Sequence, residues 1–354
     1  MKNKIMTFVF LIFIFSFSIL GIIVKDKDIS SSERRKLASF PEFEFNSDWI
    51  GDVDKYFLDH FVLRDKFRSL KAFYNYYILS KYDNNGIYLK DDYIFKSNYP
   101  TNKKSIDNFK SKILKLNSFL TSNNNVYMMV IPDKNYYLES DEFLHIDYDY
   151  IYDEISELDF NMIDVRDCLE LSDYYKTDTH WRQEKLGDVV SHMSDIMKFD
   201  YVDIKYKKNV YDKFYGVYYG EAAIKKNGDS LIYLTSDIFD GVRVKYLENK
   251  NLTTLYNVSK LEGMDSYDVY LDGASSFIEI YNDNALSDKE LVIFRDSFGS
   301  SLTPLLVNSY KKITVIDNRY IMSDYFLDYI EFTNQDVLFM YSTLLINESS
   351  TLKG

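Results

Sequence analysis

Apolar residues fall along this chain in distinct rhythms, and each rhythm predicts a different kind of element. Residues 5–24 carry no charge. Such a run, about twenty residues, is long enough for a helix to cross the hydrocarbon layer of a bilayer. Over residues 49–82 the rhythm is helical: Val53, Tyr56, Phe57, Phe61, Phe67, Leu70 and Phe73 recur at helical spacing. That pattern predicts one or two amphipathic helices. Asp83-Asn84-Asn85-Gly86 then signals a turn, and a hairpin is expected through Phe95.

Beyond residue 101 the rhythm alternates. Residues 102–121 place Ile106, Phe109, Ile113, Leu116 and Phe119 on one helical face, and 126–131 form a short apolar run stopped by Pro132. A second short run follows at 162–165, then a helical pattern over 182–197. Further apolar runs stand at 291–294, 313–316 and 337–341; a helix is expected after the first and another over 322–331. Buried strands alternating with helices predict an α/β fold with a parallel sheet. Residues 140–158 are acid-rich and read as a loop with a helix. Residues 205–284 break the alternation: short β-like runs at 230–234, 242–246 and 276–281 are separated by polar turns. This reads as a β-rich insertion that shapes a substrate groove. The expected organisation is an anchor over 1–25, a juxtamembrane linker and helical region over 26–100, and the α/β domain over 101–354.

Charge and composition narrow the function. A net charge of −13 argues against nonspecific binding to nucleic acid. The 33 tyrosines suit stacking on sugar rings, and equally suit a plain compositional bias. Cys168 is the only cysteine, so no internal disulfide exists. No small-x-small cleavage site follows the apolar span, which predicts an uncleaved signal anchor. Lys25, Lys27, Arg34, Arg35 and Lys36 follow the span, and a simple positive-inside count would keep the C-terminal side in the cytoplasm. Against that, the tail before the span is short and large domains translocate largely regardless of charge. The same basic cluster suits anionic lipid headgroups.

Candidate chemistry concentrates in two stretches. In Leu291-Val-Ile-Phe-Arg-Asp-Ser-Phe-Gly-Ser300 an apolar strand stops at Arg295-Asp296-Ser297. A serine on a strand-to-helix turn exposes its hydroxyl beside the free N–H groups of the helix. The plainer reading is a helix cap. The second stretch is Lys176-Thr-Asp-Thr-His-Trp181. Serine needs a base, usually histidine held in one tautomer by a carboxylate, and in an extended segment Asp178 and His180 would share a side. His60 and His192 read as surface helix residues, and His145 lies in no motif. A satisfied structural histidine is the plain alternative for His180. A metal site lacks a third ligand nearby, and one cysteine cannot complete a thiolate set.

Thr177-Asp178-Thr179-His180-Trp181 followed by Arg295-Asp296-Ser297-Phe298-Gly299 resembles the DHHW family, itself similar to alginate O-acetyltransferase proteins of the SGNH hydrolase-like group. Asn85-Gly86-Ile87-Tyr88-Leu89 with Tyr93-Ile94-Phe95, Val130-Ile131-Pro132-Asp133-Lys134 and Ile316-Asp317-Asn318-Arg319-Tyr320 resemble further family segments. Thr179 stands where the family name has a second histidine. The resemblance implies a three-layer, flavodoxin-like SGNH domain, exported and membrane-anchored, with Ser297 as nucleophile, His180 as general acid/base and Asp178 as its orienting carboxylate. It further implies an acetyl group, no cofactor, a cell-surface polysaccharide acceptor, and a polytopic membrane-bound O-acyltransferase that supplies acetyl groups. By analogy Gly273, Arg319, Tyr320 and Tyr341 are candidate substrate contacts, each with a structural reading beside it. An acetyl esterase using the same residues, or a noncatalytic glycan-binding or scaffold subunit of an export complex, remain the alternatives.

Overall fold

The computed structural model describes residues 2–138, 143–322 and 324–353. The chain divides into two compact units, residues 1–88 with 217–226, and residues 89–216 with 227–354.

In the first unit the uncharged run forms helix α1, Lys2–Ile23. Strands β1 (Ile29–Ser30) and β2 (Arg35–Lys36) pair antiparallel. The helical rhythm becomes two helices, α2 (Ser47–Asp59) and α3 (Arg64–Phe73), and helical turns continue from α3 through Ile78. Asn46 caps α2 by accepting the N–H of Trp49, as a short polar side chain before a helix does. Arg35 grips Asp59 with two guanidinium nitrogens, which holds that carboxyl well below its ordinary value. His60 is not the surface residue its helical setting suggests. It sits at the C-terminal cap of α2 with its ring mostly buried, Nε2 lying 2.9 Å from the Ala38 carbonyl and Nδ1 3.4 Å from Asp26.

The second unit is built on a seven-stranded sheet among the described residues. In chain order its strands are β5 (Asn125–Ile131), β6 (Asn161–Asp164), β9 (Arg243–Tyr246), β10 (Phe277–Tyr281), β11 (Glu290–Arg295), β12 (Lys312–Ile316) and β13 (Asp336–Ser342). Their spatial order is β6-β5-β13-β11-β12-β10-β9. The first five of these run parallel; β10 and β9 continue the sheet antiparallel. The insertion therefore contributes two strands to the central sheet. It also forms a separate antiparallel ribbon of β7 (Lys207–Phe214) and β8 (Asp229–Thr235). Two-residue alternation along each strand feeds two cores. Met129, Leu291, Ile293, Val315 and Met340 pack one face with helices α6 (Gly187–Met197) and α8 (Phe298–Leu306). Met128, Val292, Phe294, Val337 and Phe339 pack the other face with α4 (Lys103–Asn117) and α5 (Tyr148–Ser156).

The expected hairpin is β3 (Ile87–Lys90) with β4 (Tyr93–Lys96), a short helix α7 (Val217–Ala222) follows β7, and most other expected elements stand within a few residues of their predicted bounds. The helix expected over 322–331 does not form; a single 3₁₀ turn at Tyr325–Asp328 takes its place. The spacing of Met322, Tyr325, Phe326, Tyr329 and Ile330 is helical, but of these Phe326 anchors in the core while Met322, Tyr325 and Tyr329 stay exposed, so little burial rewards a longer helix. Residues 140–142 of the acid-rich loop lie outside the described residues, and the helix expected there is α5.

Candidate active site

Parallel strands deliver their carboxyl ends to one edge of the sheet, where ligands of open α/β sheets bind. Here β11 ends at Arg295, and the chain turns through Asp296 and Ser297 into α8. Asp296 fixes this turn: Oδ1 accepts the N–H of Phe298 at 3.0 Å, and Oδ2 accepts the N–H and hydroxyl of Ser342 at 2.8 and 2.6 Å. Ser342 ends β13, the neighbour of β11. The serine turn is thus tied to the next strand, and Ser297 is left half-buried.

His180 comes from a tight loop closed by a bridge between Tyr174 and Trp181. The expected extended segment is absent. Asp178 instead forms an Asx turn, its Oδ1 accepting the backbone N–H of His180 at 3.1 Å and lying 2.5 Å from Nδ1. Nδ1 donates to the carboxylate, so Nε2 is the accepting nitrogen. It lies 2.7 Å from Ser297 Oγ, which places the serine proton on the line between them. Asp178 and His180 are both buried.

Side chains distant in sequence hold this loop. Asp229 accepts the N–H groups of Lys176 and Thr177 at 2.9 and 2.8 Å and the Thr177 hydroxyl at 2.6 Å. The buried Lys134 ammonium donates to the carbonyls of Tyr175, Lys176 and Asp178 at 3.0, 3.2 and 2.7 Å. Burial lowers the Lys134 pKa to about 7, against the opposing pull of Asp178, Asp229 and Asp133. Gly216 lies against the loop so closely that a Cβ there would come within 2.3 Å of Asp178 Cβ. Tyr267, from the insertion, stacks flat on the His180 ring with centroids 3.8 Å apart and planes 6° apart. Its hydroxyl is anchored 2.8 Å from Ser301 Oγ on α8. Trp181 donates Nε1 to the Phe298 carbonyl and to Ser301 Oγ, both at 3.0 Å, and Gln183 donates to the Ser301 carbonyl at 2.7 Å. Histidine loop and serine helix are zipped together by these bonds.

Of the residues proposed from sequence, the structure brings Ser297, His180 and Asp178 into one hydrogen-bonded chain. Gly273, at φ +67°, lies behind the serine strand, and its carbonyl accepts from the buried Arg295 guanidinium at 3.2 Å. Arg319 is committed to Asp317 through two bonds of 2.9 and 2.6 Å, with Tyr320 exposed beside it. Tyr341 presents no surface to a ligand: it is fully buried and donates its hydroxyl to Asn318 at 2.8 Å. Sequence reasoning missed Tyr267 and Asp229, one tyrosine among 33 and one acid in a polar turn, neither marked by any local signal. Lys134 carried one: a lysine within three residues of the end of an apolar strand stopped by a proline sits at the carboxyl edge of the sheet. No group of three or more metal-ligating side chains is present among the described residues.

Comparison with known proteins finds the same fold elsewhere. The family model described as DHHW protein matches residues 162–316, which include the whole histidine loop and the serine turn. A DHHW family protein from Eubacterium siraeum shares the fold at 22% identity and a TM-score of 0.62, over 77% of this chain and 97% of that one. Bacillus cereus PatB1, solved with a sulfonyl adduct, shares it at 22% identity and 0.58, over 73% and 95%. The O-acetyltransferase domain of Pseudomonas putida AlgJ aligns at 10% identity and 0.43, over 75% and 93%. No curated protein matches the sequence.

Proposed function

We propose that this chain is a membrane-anchored O-acetyltransferase that modifies a cell-surface or exported polysaccharide through an acetyl-Ser297 intermediate. The observation that carries the reading is the unbroken chain from Asp178 through the His180 ring to Ser297 Oγ. His180 Nε2 takes the hydroxyl proton as Oγ attacks the acetyl carbonyl. The imidazolium, held by Asp178, then returns the proton to the leaving group. In the second half-reaction His180 deprotonates a sugar hydroxyl, which attacks the acetyl-serine; the bond from Ser297 Oγ to the acetyl carbon breaks, His180 returns the proton to Oγ, and the acetylated sugar leaves. The N–H groups of Phe298, Gly299 and Ser300 are taken within the turn, so among the described residues the N–H of Ser297 is the turn's donor to the oxyanion. The domain on this reading is SGNH-hydrolase-like, with the flavodoxin-like layering of a parallel sheet between helices. It works outside the cytoplasm, held by α1, the one helix long and apolar enough to span a membrane among the described residues. Acetyl groups reach it from a polytopic membrane-bound O-acyltransferase.

The test is turnover of p-nitrophenyl acetate with and without glycan acceptors, with intact-mass detection of acetylated Ser297. PatB1 is recorded with a sulfonyl adduct, so a sulfonyl fluoride is the matching active-site probe. Acceleration by an acceptor, with acetylated sugar as product, supports the transferase. Free acetate alone, at a rate indifferent to every glycan, means that water is the acceptor and the enzyme an esterase. Full turnover by Ser297→Ala removes the serine mechanism altogether.

A further inference from the structure

The N-terminal unit carries an amphipathic helix turned inside out. Along α3 and its continuation, Phe67, Leu70, Tyr74, Tyr77 and Ile78 follow helical spacing and form one apolar stripe. In a water-soluble unit that stripe would be the buried face. Here Leu70, Tyr74, Tyr77 and Ile78 are each between 50% and 61% exposed, and Phe67 is 40% exposed. The opposite face packs inward around buried Ala72 and is otherwise polar. Arg64 and Arg68 reach Glu33 at 2.8 and 3.3 Å, Arg68 donates to the Gly220 carbonyl at 3.0 Å, and buried Asn75 donates to Asn84 at 2.8 Å. Phe57 and Leu58 at the end of α2, with Phe61 and Leu63 in the turn, extend the exposed apolar surface. A contiguous apolar face of this size is a binding surface.

The rings of Phe61 and Phe67 identify its occupant. Both contact Phe17 of α1, with centroids 5.6 and 5.9 Å away, the first stacked nearly parallel at 9°. Phe17 lies six residues inside the end of α1 at Ile23, which at the rise of an α-helix is about 9 Å along its axis. If α1 spans a bilayer, side chains touching Phe17 lie below the membrane surface, about 5–10 Å deep, where interfacial helices bury their apolar faces. We infer that the apolar face of α2 and α3 is embedded in the same leaflet from which α1 emerges, making this unit a lipid-seated platform rather than a free linker. Lys66 and Lys71 flank the stripe on α3, the Lys71 ammonium donating to Asn85 at 2.9 Å.

The experiment uses the full chain with Cys168→Ser, reconstituted into mixed phosphatidylcholine and phosphatidylglycerol vesicles. Single cysteines replace Leu70, Tyr74, Phe13 in α1, and Lys245 in the second unit, each carrying a nitroxide. Collision rates with oxygen and with a water-soluble nickel chelate are then compared. Labels at 70 and 74 should share the oxygen-rich, nickel-poor signature of the label at 13, at a depth of about 5–10 Å. A nickel accessibility matching that at 245 overturns the inference. Shielding from both reagents, with spin–spin broadening, overturns it in favour of a second copy of this chain. A label at 13 that is itself open to nickel removes the membrane span, and the inference with it.

Discussion

The serine turn and the histidine loop meet at one hydrogen bond but are held in place by different means. The serine turn is local structure: a buried strand, a two-residue turn and a helix, fixed by Asp296 bonding its own turn and the adjacent strand end. The histidine loop has no strand or helix beneath it. It is suspended from Asp229, Lys134, Tyr267 and α8, contacts that come from as far as 117 residues away along the chain. One half of the site is supported by backbone ladders, the other by side-chain tethers. Loss of a tether should therefore displace the histidine while leaving the serine turn in place.

Removing the meeting point itself should have the largest effect. Ser297→Ala is expected to lower p-nitrophenyl acetate turnover by about 10⁴- to 10⁶-fold while costing under about 1 kcal/mol of stability. His180→Ala should be nearly as severe, and the double variant scarcely worse, since the two act as a unit. Thermal unfolding beside the kinetics separates lost chemistry from lost fold.

Asp178→Asn keeps the shape of the loop and should still lose about 10⁴-fold, because the amide no longer enforces the Nδ1–H tautomer. A loss within tenfold would mean that the tethers, not the carboxylate, orient the ring.

Tyr267 distinguishes stacking from hydrogen bonding. Tyr267→Leu should cost about 10²-fold in kcat, since small misplacement of a catalytic group is that expensive. Tyr267→Phe keeps the stack and should remain within a few-fold of the parent. The ring-current shift of the His180 protons should persist in the phenylalanine variant and vanish in the leucine variant. Equal shifts in both would show that Tyr267 does not position the imidazole.

Asp229→Asn should be milder, about 2 kcal/mol of stability, because a neutral amide can replace only part of a carboxylate's hydrogen bonds. Its activity should fall through kcat with KM little changed.

Lys134 gives the smallest signal, in the pH dependence of stability. Burial lowers its pKa to about 7, below the ordinary lysine value. Between those two values the unfolded chain binds a proton that the folded chain does not, so the Lys134 contribution to stability rises with pH across the window and is lost as pH falls toward 7. Lys134→Met should flatten that part of a denaturant-unfolding profile. An unchanged slope would place the charge elsewhere.

The sequence carried the parts of this protein that depend on neighbours along the chain. Apolar runs at 126–131, 291–294 and 337–341 are strands because each buries both faces in a parallel sheet, and periodicity suffices to find them. The uncharged run at the N-terminus is a helix for the same kind of reason. Asp178 and His180 lie two residues apart, so their contact is nearly a local property, even though it is made by an Asx turn rather than an extended segment. Over 322–331 the spacing is helical but most of its apolar residues stay exposed, and the expected helix shrank to one turn. Tertiary structure alone decided the rest. The bond between His180 and Ser297 spans 117 residues and exists only because strand order and the zipped loop deliver both to one edge. Tyr267 and Tyr341 are the same residue type, yet one lies flat on the imidazole and the other is sealed in the core. The sheet position of β10 and the path of the insertion made that choice, not the local sequence. The stripe on α3 shows the same division: its spacing predicts an amphipathic helix, but which face turns inward depends on Glu33, Gly220 and Asn84, residues that only folding brings to it. Periodicity reports that a face differs from its opposite; what lies against each face is a long-range contact, and a local pattern holds no record of it.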